Sequence, residues 1–292
     1  MDDDKEIEPE SKFLLKLIYD VLLTPVTLVL VMLGKREWGD LFKPFYDMYE
    51  FLFEAKFTIT IIIANVAVTI FAAFFLSSET FNALINYPSN LLDYRRYYTL
   101  VTAGFLHGSL VHLFWNMFGI FIFSRSVERK LGSAKTAMVY FGALVISSAF
   151  YSAINLFLMG SDVPAIGASG ALMGIIAAAI LLDPFGITFS SVVPLPNMIC
   201  GWFAIYADIS GLLSNANDGI AHVAHVGGFL SVTVLMFLLN RDERYEMEKG
   251  IIINLFSLVV IGVIFFLVTS GYLPSFDFGG SMQQAVFGNI PI

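Results

Sequence analysis

Apolar runs of about 20 residues divide this chain, and they constrain its fold more than any other feature. A run of that length crosses the hydrocarbon core of a bilayer when it folds as a helix. Only 14% of the 292 residues are charged, roughly half the fraction of a soluble chain. The sequence therefore predicts an all-α, polytopic membrane protein. The net charge of −8 argues against nucleic acid as a partner, and the single cysteine, Cys200, excludes an internal disulfide.

Seven membrane-spanning helices are predicted from the apolar runs. They cover about residues 57–76, 106–123, 137–158, 169–182, 187–213, 221–239 and 251–267. An earlier apolar segment, 13–33, contains Lys16, Asp20 and Pro25. We therefore predict that residues 12–55 form interfacial helices lying on the membrane, and a full crossing by 13–33 is the alternative.

The distribution of Lys and Arg predicts the orientation of these spans, because cytoplasmic segments carry an excess of both. With the start of the first span inside, inside segments hold seven basic residues before that span, four in 125–135 and three in 241–249. The outside segments hold two, Arg95 and Arg96. We expect a cell-membrane protein with a cytoplasmic N-terminus and an external loop at 77–104. The same count disfavours 13–33 as a crossing.

Polar groups cluster toward the outer ends of the predicted spans. They are Ser169 and all the histidines of the chain, His107, His112, His222 and His225. Ionisable groups inside a bilayer are costly and mark functional sites. A serine becomes a nucleophile when a base accepts its proton, and imidazole is the usual base near neutral pH. No Asp or Glu lies within the sixth span to orient such a base, so the residues predict a Ser–His dyad. Either His222 or His225 could be its base.

Other polar and small residues fit the same chemistry. His112 and Asn116 share one helix face and can both donate to charge developing on an attacked carbonyl. His107 lies well round that helix and is expected to brace the outer end of the span. Small-xxx-small pairs on the fourth and sixth spans, Gly170/Gly174 and Ala224/Gly228, allow the serine and histidine helices to pack closely. A purely structural alternative stays open, in which Asn116 joins helices and His222 caps a loop.

These residues resemble the rhomboid family of intramembrane serine proteases over about residues 57–239. The matching motifs are His107-x4-His112-x3-Asn116, Glu128-Arg129 with Gly132, Gly167-x-Ser169-Gly170 and Ala224-His225-x2-Gly228. The resemblance implies that Ser169 is the nucleophile and that His225, rather than His222, is the base. It implies that His112, Asn116 and the Ser169 backbone N–H line the oxyanion site. His107, Gly167, Gly170 and Gly228 are then expected to give structural support.

The apolar pattern and the resemblance together predict a domain organisation, and several positions depart from the family pattern. Residues 56–240 form a six-helix rhomboid-like catalytic core, 1–55 an acidic N-terminal segment with interfacial helices, and 241–292 an additional span and tail. Tyr98-Thr99 stands where many members have Trp-Arg, so the role of that arginine is left open or passes to Arg95 or Arg96. Met173 replaces a frequent aromatic residue, and Val232 replaces the last glycine of the sixth-span motif.

The implied function is an intramembrane serine endopeptidase that cuts transmembrane protein substrates near their outer ends, with the lipid bilayer as its other partner. No metal or organic cofactor is implied. A non-catalytic rhomboid-like binder of membrane clients is a second class, but it predicts loss of the serine or the histidine. A transporter is a third class, disfavoured because the chain lacks an internal repeat and has no acidic residue within the core spans apart from Asp208.

Overall fold

The computed structural model describes residues 10–188, 195–214, 220–270 and residue 272, and α-helix dominates them. The predicted all-α, polytopic class is confirmed. In the described part the α-helices are, in chain order, α1 (Glu10–Leu22), α2 (Thr24–Met32), α3 (Trp38–Glu54), α4 (Lys56–Phe75), α5 (Ser78–Leu84), α6 (Thr99–Thr102), α7 (Leu110–Leu131), α8 (Ser133–Ala153), α9 (Ser169–Leu182), α10 (Asn197–Leu213), α11 (His222–Leu235) and α12 (Arg241–Thr269). The chain divides after Gly250 into two compact units.

Helices correspond to all seven predicted spans. Four are long and apolar enough to cross a membrane, namely α4, α7, α12 and α8 with its π-helical extension to Met159. The shorter apolar helices are α9, α10 and α11, the last continued by a 3-10 turn to Leu238. The chain is therefore an integral, multi-pass membrane protein.

Two predicted spans start several residues before their helices, and local chemistry explains both differences. The fifth span does not begin at Ile187, because Ile187–Thr188 (β1) pairs antiparallel with Leu195–Pro196 (β2). The helix begins only after Pro196, which fixes φ and has no N–H to donate. The second span begins at Leu110, because the Ser109 hydroxyl accepts the His112 N–H (3.1 Å) and caps the helix.

The apolar segment 13–33 is broken into two helices. α1 ends at Leu22, and α2 begins at Thr24 with Pro25 in its first turn. The Thr24 hydroxyl donates to the Asp20 carbonyl (3.1 Å) across this junction. α3 then exposes a row of aromatic side chains, which are Trp38, Phe42, Phe45, Tyr46, Tyr49 and Phe53. The interfacial placement of residues 12–55 stays a prediction.

α9 lies at the centre of the core. It packs against α7, α8, α10 and α11, and its residues from Gly170 to Leu181 are buried apart from Leu172. Such a helix carries no polar face, because protein surrounds it on every side. Ser169, at the first position of α9, is the exception to this apolar composition and lies at the end of the core helix.

The helices that carry the polar cluster begin at the same end of the core. A Cβ built on Gly167, just before α9, would lie 2.6 Å from the His112 ring near the start of α7. At the opposite end Lys130 of α7 pairs with Asp183, which follows α9 (3.7 Å). The first residues of α4 also lie at that opposite end, where Glu128 of α7 accepts the Phe57 and Thr58 N–H groups. The polar cluster and the charged pairs therefore occupy opposite ends.

Candidate active site

Ser169 opens α9, and the backbone of the preceding segment is pinned to the loop at 77–104. Ala165 and Asn86 exchange two backbone hydrogen bonds (2.9 and 3.4 Å), and the Gly167 N–H donates to the Ala103 carbonyl (2.9 Å). The first N–H groups of a helix have no intrahelical acceptor and carry partial positive charge. The Ser169 N–H is therefore held where it can bind developing negative charge.

Gly167 brings the His112 and Asn116 side chains against the segment before Ser169. Its φ of +114° is a conformation that side-chain-bearing residues rarely adopt. A Cβ at this position would lie 2.6 Å from Cε1 and 2.8 Å from Nε2 of His112, and 3.7 Å from Nδ2 of Asn116. The absence of a Cβ thus lets both donors approach the backbone beside the serine.

The Asn116 amide is a buried donor with no acceptor. Asn116 is 4% exposed, and its Nδ2 is one of few buried polar side-chain atoms in the described part of the chain without a hydrogen-bond partner. Buried donors without an acceptor are uncommon, because leaving one unpaired costs about 1–3 kcal/mol of folding free energy. An oxygen supplied by a ligand would satisfy it.

The serine and histidine helices make the close contact that their glycines predict. A Cβ on Gly228 of α11 would lie 2.0 Å from the Gly170 carbonyl oxygen of α9. A Cβ built on Gly170 itself would lie 2.2 Å from the Ser147 hydroxyl of α8. His225 lies one turn before Gly228 on the same helix. Backbone-to-backbone packing thus brings His225 to the end of the core that holds Ser169.

Asp208 of α10 is the site residue that the sequence reasoning missed. Its Oδ1 lies 2.8 Å from Nδ1 of His225 and 2.8 Å from Nδ1 of His222. The expectation that no carboxylate orients the histidine considered only the sixth span, and the carboxylate comes from a neighbouring helix. The signal was present in the sequence, because a lone acidic residue in an apolar span requires a partner.

His222 packs differently from His225, although both rings approach the same carboxylate oxygen. A Cβ built on Gly211 of α10 would lie 2.2 Å from Nε2 of His222. The Nε2 edge of His222 therefore lies against the α10 backbone. This contact distinguishes two histidines that residue chemistry alone left equivalent.

His107 contacts the segment before Ser169. It precedes α7 and does not lie on that helix as the sequence had suggested. The Ala168 N–H donates to its Nε2 in a long hydrogen bond (3.4 Å), and its Nδ1 lies 3.1 Å from the Thr69 hydroxyl. Burial, and to a smaller extent the neighbouring His112, lower the pKa of His107 to about 4, against a backbone hydrogen bond at Phe105 that raises it. A neutral His107 can accept at Nε2, as this bond requires.

A small cavity adjoins Ser169. It has a volume of about 20 Å³, and its lining includes Ser169, Gly170, Ser147 and Tyr151. A water molecule needs roughly 10–15 Å³ of cavity volume measured in this way, so the cavity has room for about one water.

Tyr98 and Thr99 occupy the position where the sequence departs from the family pattern, and Arg96 contacts both. The Arg96 Nη1 donates to the Tyr98 hydroxyl (3.1 Å) and to the Ala83 carbonyl (3.4 Å), which also accepts from Tyr98 (2.9 Å). Thr99 is fully buried and donates to the Arg96 carbonyl (2.7 Å). Arg96 therefore braces this loop, whereas Arg95 lies over the ring of Tyr94.

Among the residues that the structure describes, Asp208, His222 and His225 form a candidate metal site. One ligand atom from each lies within 4.8 Å of the others. The two 2.8 Å separations between nitrogen and oxygen are those of charge-assisted hydrogen bonds. We therefore interpret the group as a hydrogen-bonded cluster of two imidazoles and one carboxylate.

Comparison with known proteins identifies the family. Residues 94–242 match the family model described as the Rhomboid domain, which is about half of the chain and contains Ser169, His225, His112 and Asn116. The chain belongs to the rhomboid family. The rhomboid match begins in the loop at 77–104 and ends just after α12 begins.

Curated relatives carry rhomboid names and are longer than the matched region. RHOMBOID-like protein 12, mitochondrial, of Arabidopsis thaliana is 27% identical over 64% of this chain and 59% of its own length. The human presenilin-associated rhomboid-like protein, mitochondrial, is 31% identical over 66% of this chain and 51% of its own. RHOMBOID-like protein 6, mitochondrial, of Arabidopsis thaliana is 32% identical over 51% of this chain and 46% of its own. The chain thus spans about half the length of the rhomboid relatives it matches.

Proposed function

We propose that this protein is an intramembrane serine endopeptidase that cleaves transmembrane proteins near the outer side of the membrane. The observation that carries the proposal is the buried, unpaired Asn116 amide beside the segment that opens α9 with Ser169. A donor left unsatisfied next to a serine at a helix N-terminus is the arrangement that an oxyanion requires. The large majority of buried side-chain polar atoms in folded proteins are paired.

Each proposed residue has one task in the reaction. The Ser169 hydroxyl attacks the scissile carbonyl carbon while His225 accepts its proton at Nε2. The negative charge on the carbonyl oxygen is held by the Ser169 N–H, the Asn116 amide and an N–H of His112. His225 then returns the proton to the leaving amine as the C–N bond breaks, which leaves an acyl-serine. Water deprotonated by His225 hydrolyses this ester and regenerates the hydroxyl.

The position of the site restricts the substrate. A helix buries each scissile carbonyl in its own hydrogen bonds, so a transmembrane substrate has to unwind locally before Ser169 can attack. We therefore expect helix-breaking or small residues around the cut. The space beside Ser169, which holds about one water, is where the hydrolytic water would bind.

Orientation and regional boundaries belong to the same proposal. The basic residues support a cytoplasmic N-terminus and a site that opens outward in the cell membrane. The relatives named above carry mitochondrial names, which makes an organelle membrane the alternative. We further propose residues 56–240 as the catalytic core, 1–55 as an interfacial segment and 241–292 as an added span and tail. Cell fractionation, with protease protection of a tag at each terminus, tests the location and the orientation.

The catalytic proposal is tested with purified protein in detergent. A fluorophosphonate probe should label Ser169, as mapped by mass spectrometry, and a model transmembrane substrate should be cleaved. Ser169→Ala and His225→Ala should abolish both activities, whereas Ser78→Ala, at an exposed position on α5, should retain them. Cleavage that persists in folded Ser169→Ala would disprove the nucleophile. A wild-type protein that folds but is never labelled would favour the non-catalytic binder.

A further inference from the structure

We propose that Asp208 is a positioning residue that holds His225 in the one tautomer able to act as a base. This inference rests on the proposed function and adds a third member to its serine–histidine pair. The carboxylate comes from α10, is 8% exposed, and its Oδ1 lies 2.8 Å from Nδ1 of His225. The proposed proton-transfer unit then has one member on each of three helices, Ser169 on α9, Asp208 on α10 and His225 on α11.

The chemistry of the two groups determines the tautomer. An ionised carboxylate can only accept hydrogen bonds, so Nδ1 of His225 carries the hydrogen. In a neutral imidazole Nε2 then holds the lone pair, which is the atom that must take the proton of Ser169. Once that proton has moved, the carboxylate lies beside a positive imidazolium and stabilises it.

His222 fixes the carboxylate that performs this task. It presents Nδ1 to the same Oδ1 at 2.8 Å, so Asp208 accepts hydrogen bonds from two rings. Buried charges are tolerated when hydrogen bonds satisfy them, and two donors supply this at the end of an apolar core. The Nε2 atom of His222, which would be its basic nitrogen, lies against Gly211 of α10. His222 therefore orients Asp208, and His225 remains the base.

A side chain that only stabilised the fold would behave differently from a positioning residue. Replacing Asp208 by Asn removes the charge and places an amide beside the rings, which allows Nε2–H tautomers. The positioning role then predicts a lower kcat with an unchanged KM, because the residue acts through His225 and does not touch the substrate. It also predicts a change in the His225 tautomer, which nitrogen NMR shifts report.

The experiment compares wild-type protein, Asp208→Asn and the matched control Asp162→Asn in detergent. Asp162 accepts two hydrogen bonds from Ser89 at an exposed site, so its variant makes the same chemical change elsewhere. We expect Asp208→Asn to slow fluorophosphonate labelling of Ser169 and substrate cleavage by on the order of 100-fold or more at unchanged KM. The control should match wild type. Wild-type His225, labelled with ¹⁵N, should be in the Nδ1–H form near neutral pH.

The outcomes separate the two proposals. Folded Asp208→Asn with wild-type kcat and tautomer would overturn the positioning role and leave the Ser169–His225 pair intact. If Asp208→Asn does not fold, the tautomer of wild-type His225 decides, and an Nε2–H form would overturn the inference. Absence of labelling at Ser169 in folded wild-type protein would instead refute the proposed function, and the role of Asp208 in it.

Discussion

Gly228 of α11 faces the carbonyl oxygen of Gly170 of α9 so closely that a Cβ on Gly228 would lie 2.0 Å from that oxygen. The obstructing atom belongs to the backbone of a helix that is buried in the core, so it cannot rotate away as a side chain would. The separation of α9 and α11 is therefore set by glycine. This contact fixes how near His225 comes to Ser169, because each lies within about one turn of it.

Gly228→Ala should push α9 and α11 apart. We expect a loss of about 1–3 kcal/mol in the free energy of unfolding, as for other overpacked cores. Cleavage should fall by roughly 100-fold, because a displacement of about 1 Å misaligns the base and the nucleophile. Thermal unfolding in detergent and substrate cleavage measure the two effects. Gly39→Ala on α3, where a Cβ meets nothing within 4 Å, is the control, and equal behaviour of both variants would contradict the prediction.

Gly167→Ala should impair catalysis more than stability. The substitution strains a backbone at φ +114° and drives a methyl into the His112 ring, 2.6 Å away, which displaces a proposed oxyanion donor. Loss of one such donor costs on the order of 10²–10³-fold in kcat. The control is Gly160→Asn, because Gly160 has φ +61° with nothing near its Cβ position, and Asn tolerates that conformation. A wild-type kcat in Gly167→Ala would contradict the proposed role of His112 as an oxyanion donor.

The sequence predicts the helices and the groups that carry the chemistry, because both depend on local pattern. The apolar run that ends before Asp183-Pro184 placed the fourth span at 169–182, where α9 lies, and the small residues predicted that α9 and α11 approach closely. The contact between Asp208 and His225 was not predictable in this way. Seventeen residues and a helix reversal separate the two, so the contact depends on how α10 packs against α11. Periodicity describes one helix at a time and does not report that packing.

Short-range capping and proline effects explain the boundary errors. The second span was predicted to begin near Leu106, but the Ser109 hydroxyl caps α7 and leaves His107 in the segment before the helix. That placement converts His107 from a residue on a span into one that contacts the backbone before Ser169. Hydropathy does not report such a change, because capping depends on a single hydroxyl.

Glu128→Gln should destabilise the end of the core opposite the serine. The carboxylate accepts from Phe57 N (2.8 Å), Thr58 N (2.9 Å), the Thr58 hydroxyl (2.8 Å) and the Ser133 hydroxyl (2.5 Å). A glutamine amide would turn an NH₂ group toward some of these donors. We expect a loss of about 2–3 kcal/mol in the free energy of unfolding. Glu246→Gln, which breaks an exposed pair with Lys249, should leave the free energy of unfolding nearly unchanged, and equal behaviour of Glu128→Gln would contradict this account.

Acid should destabilise the folded protein through His107. Its pKa is about 4 in the folded protein and 6.5, the ordinary value of an imidazole, in the unfolded chain, so the unfolded chain binds the proton first. The stability is therefore complete above pH 6.5 and is lost as the pH falls toward 4. Between pH 7.5 and 5 the loss from this residue should be on the order of 2 kcal/mol.

The His107→Gln variant isolates this contribution from that of the other titrating groups. It should be less stable than wild type at pH 7.5, because it exchanges a ring that accepts from Ala168 and contacts Thr69 for a flexible amide. It should also lose less stability on acidification, so the two curves of unfolding free energy against pH should converge near pH 5. Parallel curves would mean that protonation of His107 does not oppose folding. The serine segment would then keep its position in acid without the bond from the Ala168 N–H, because that bond requires an unprotonated Nε2.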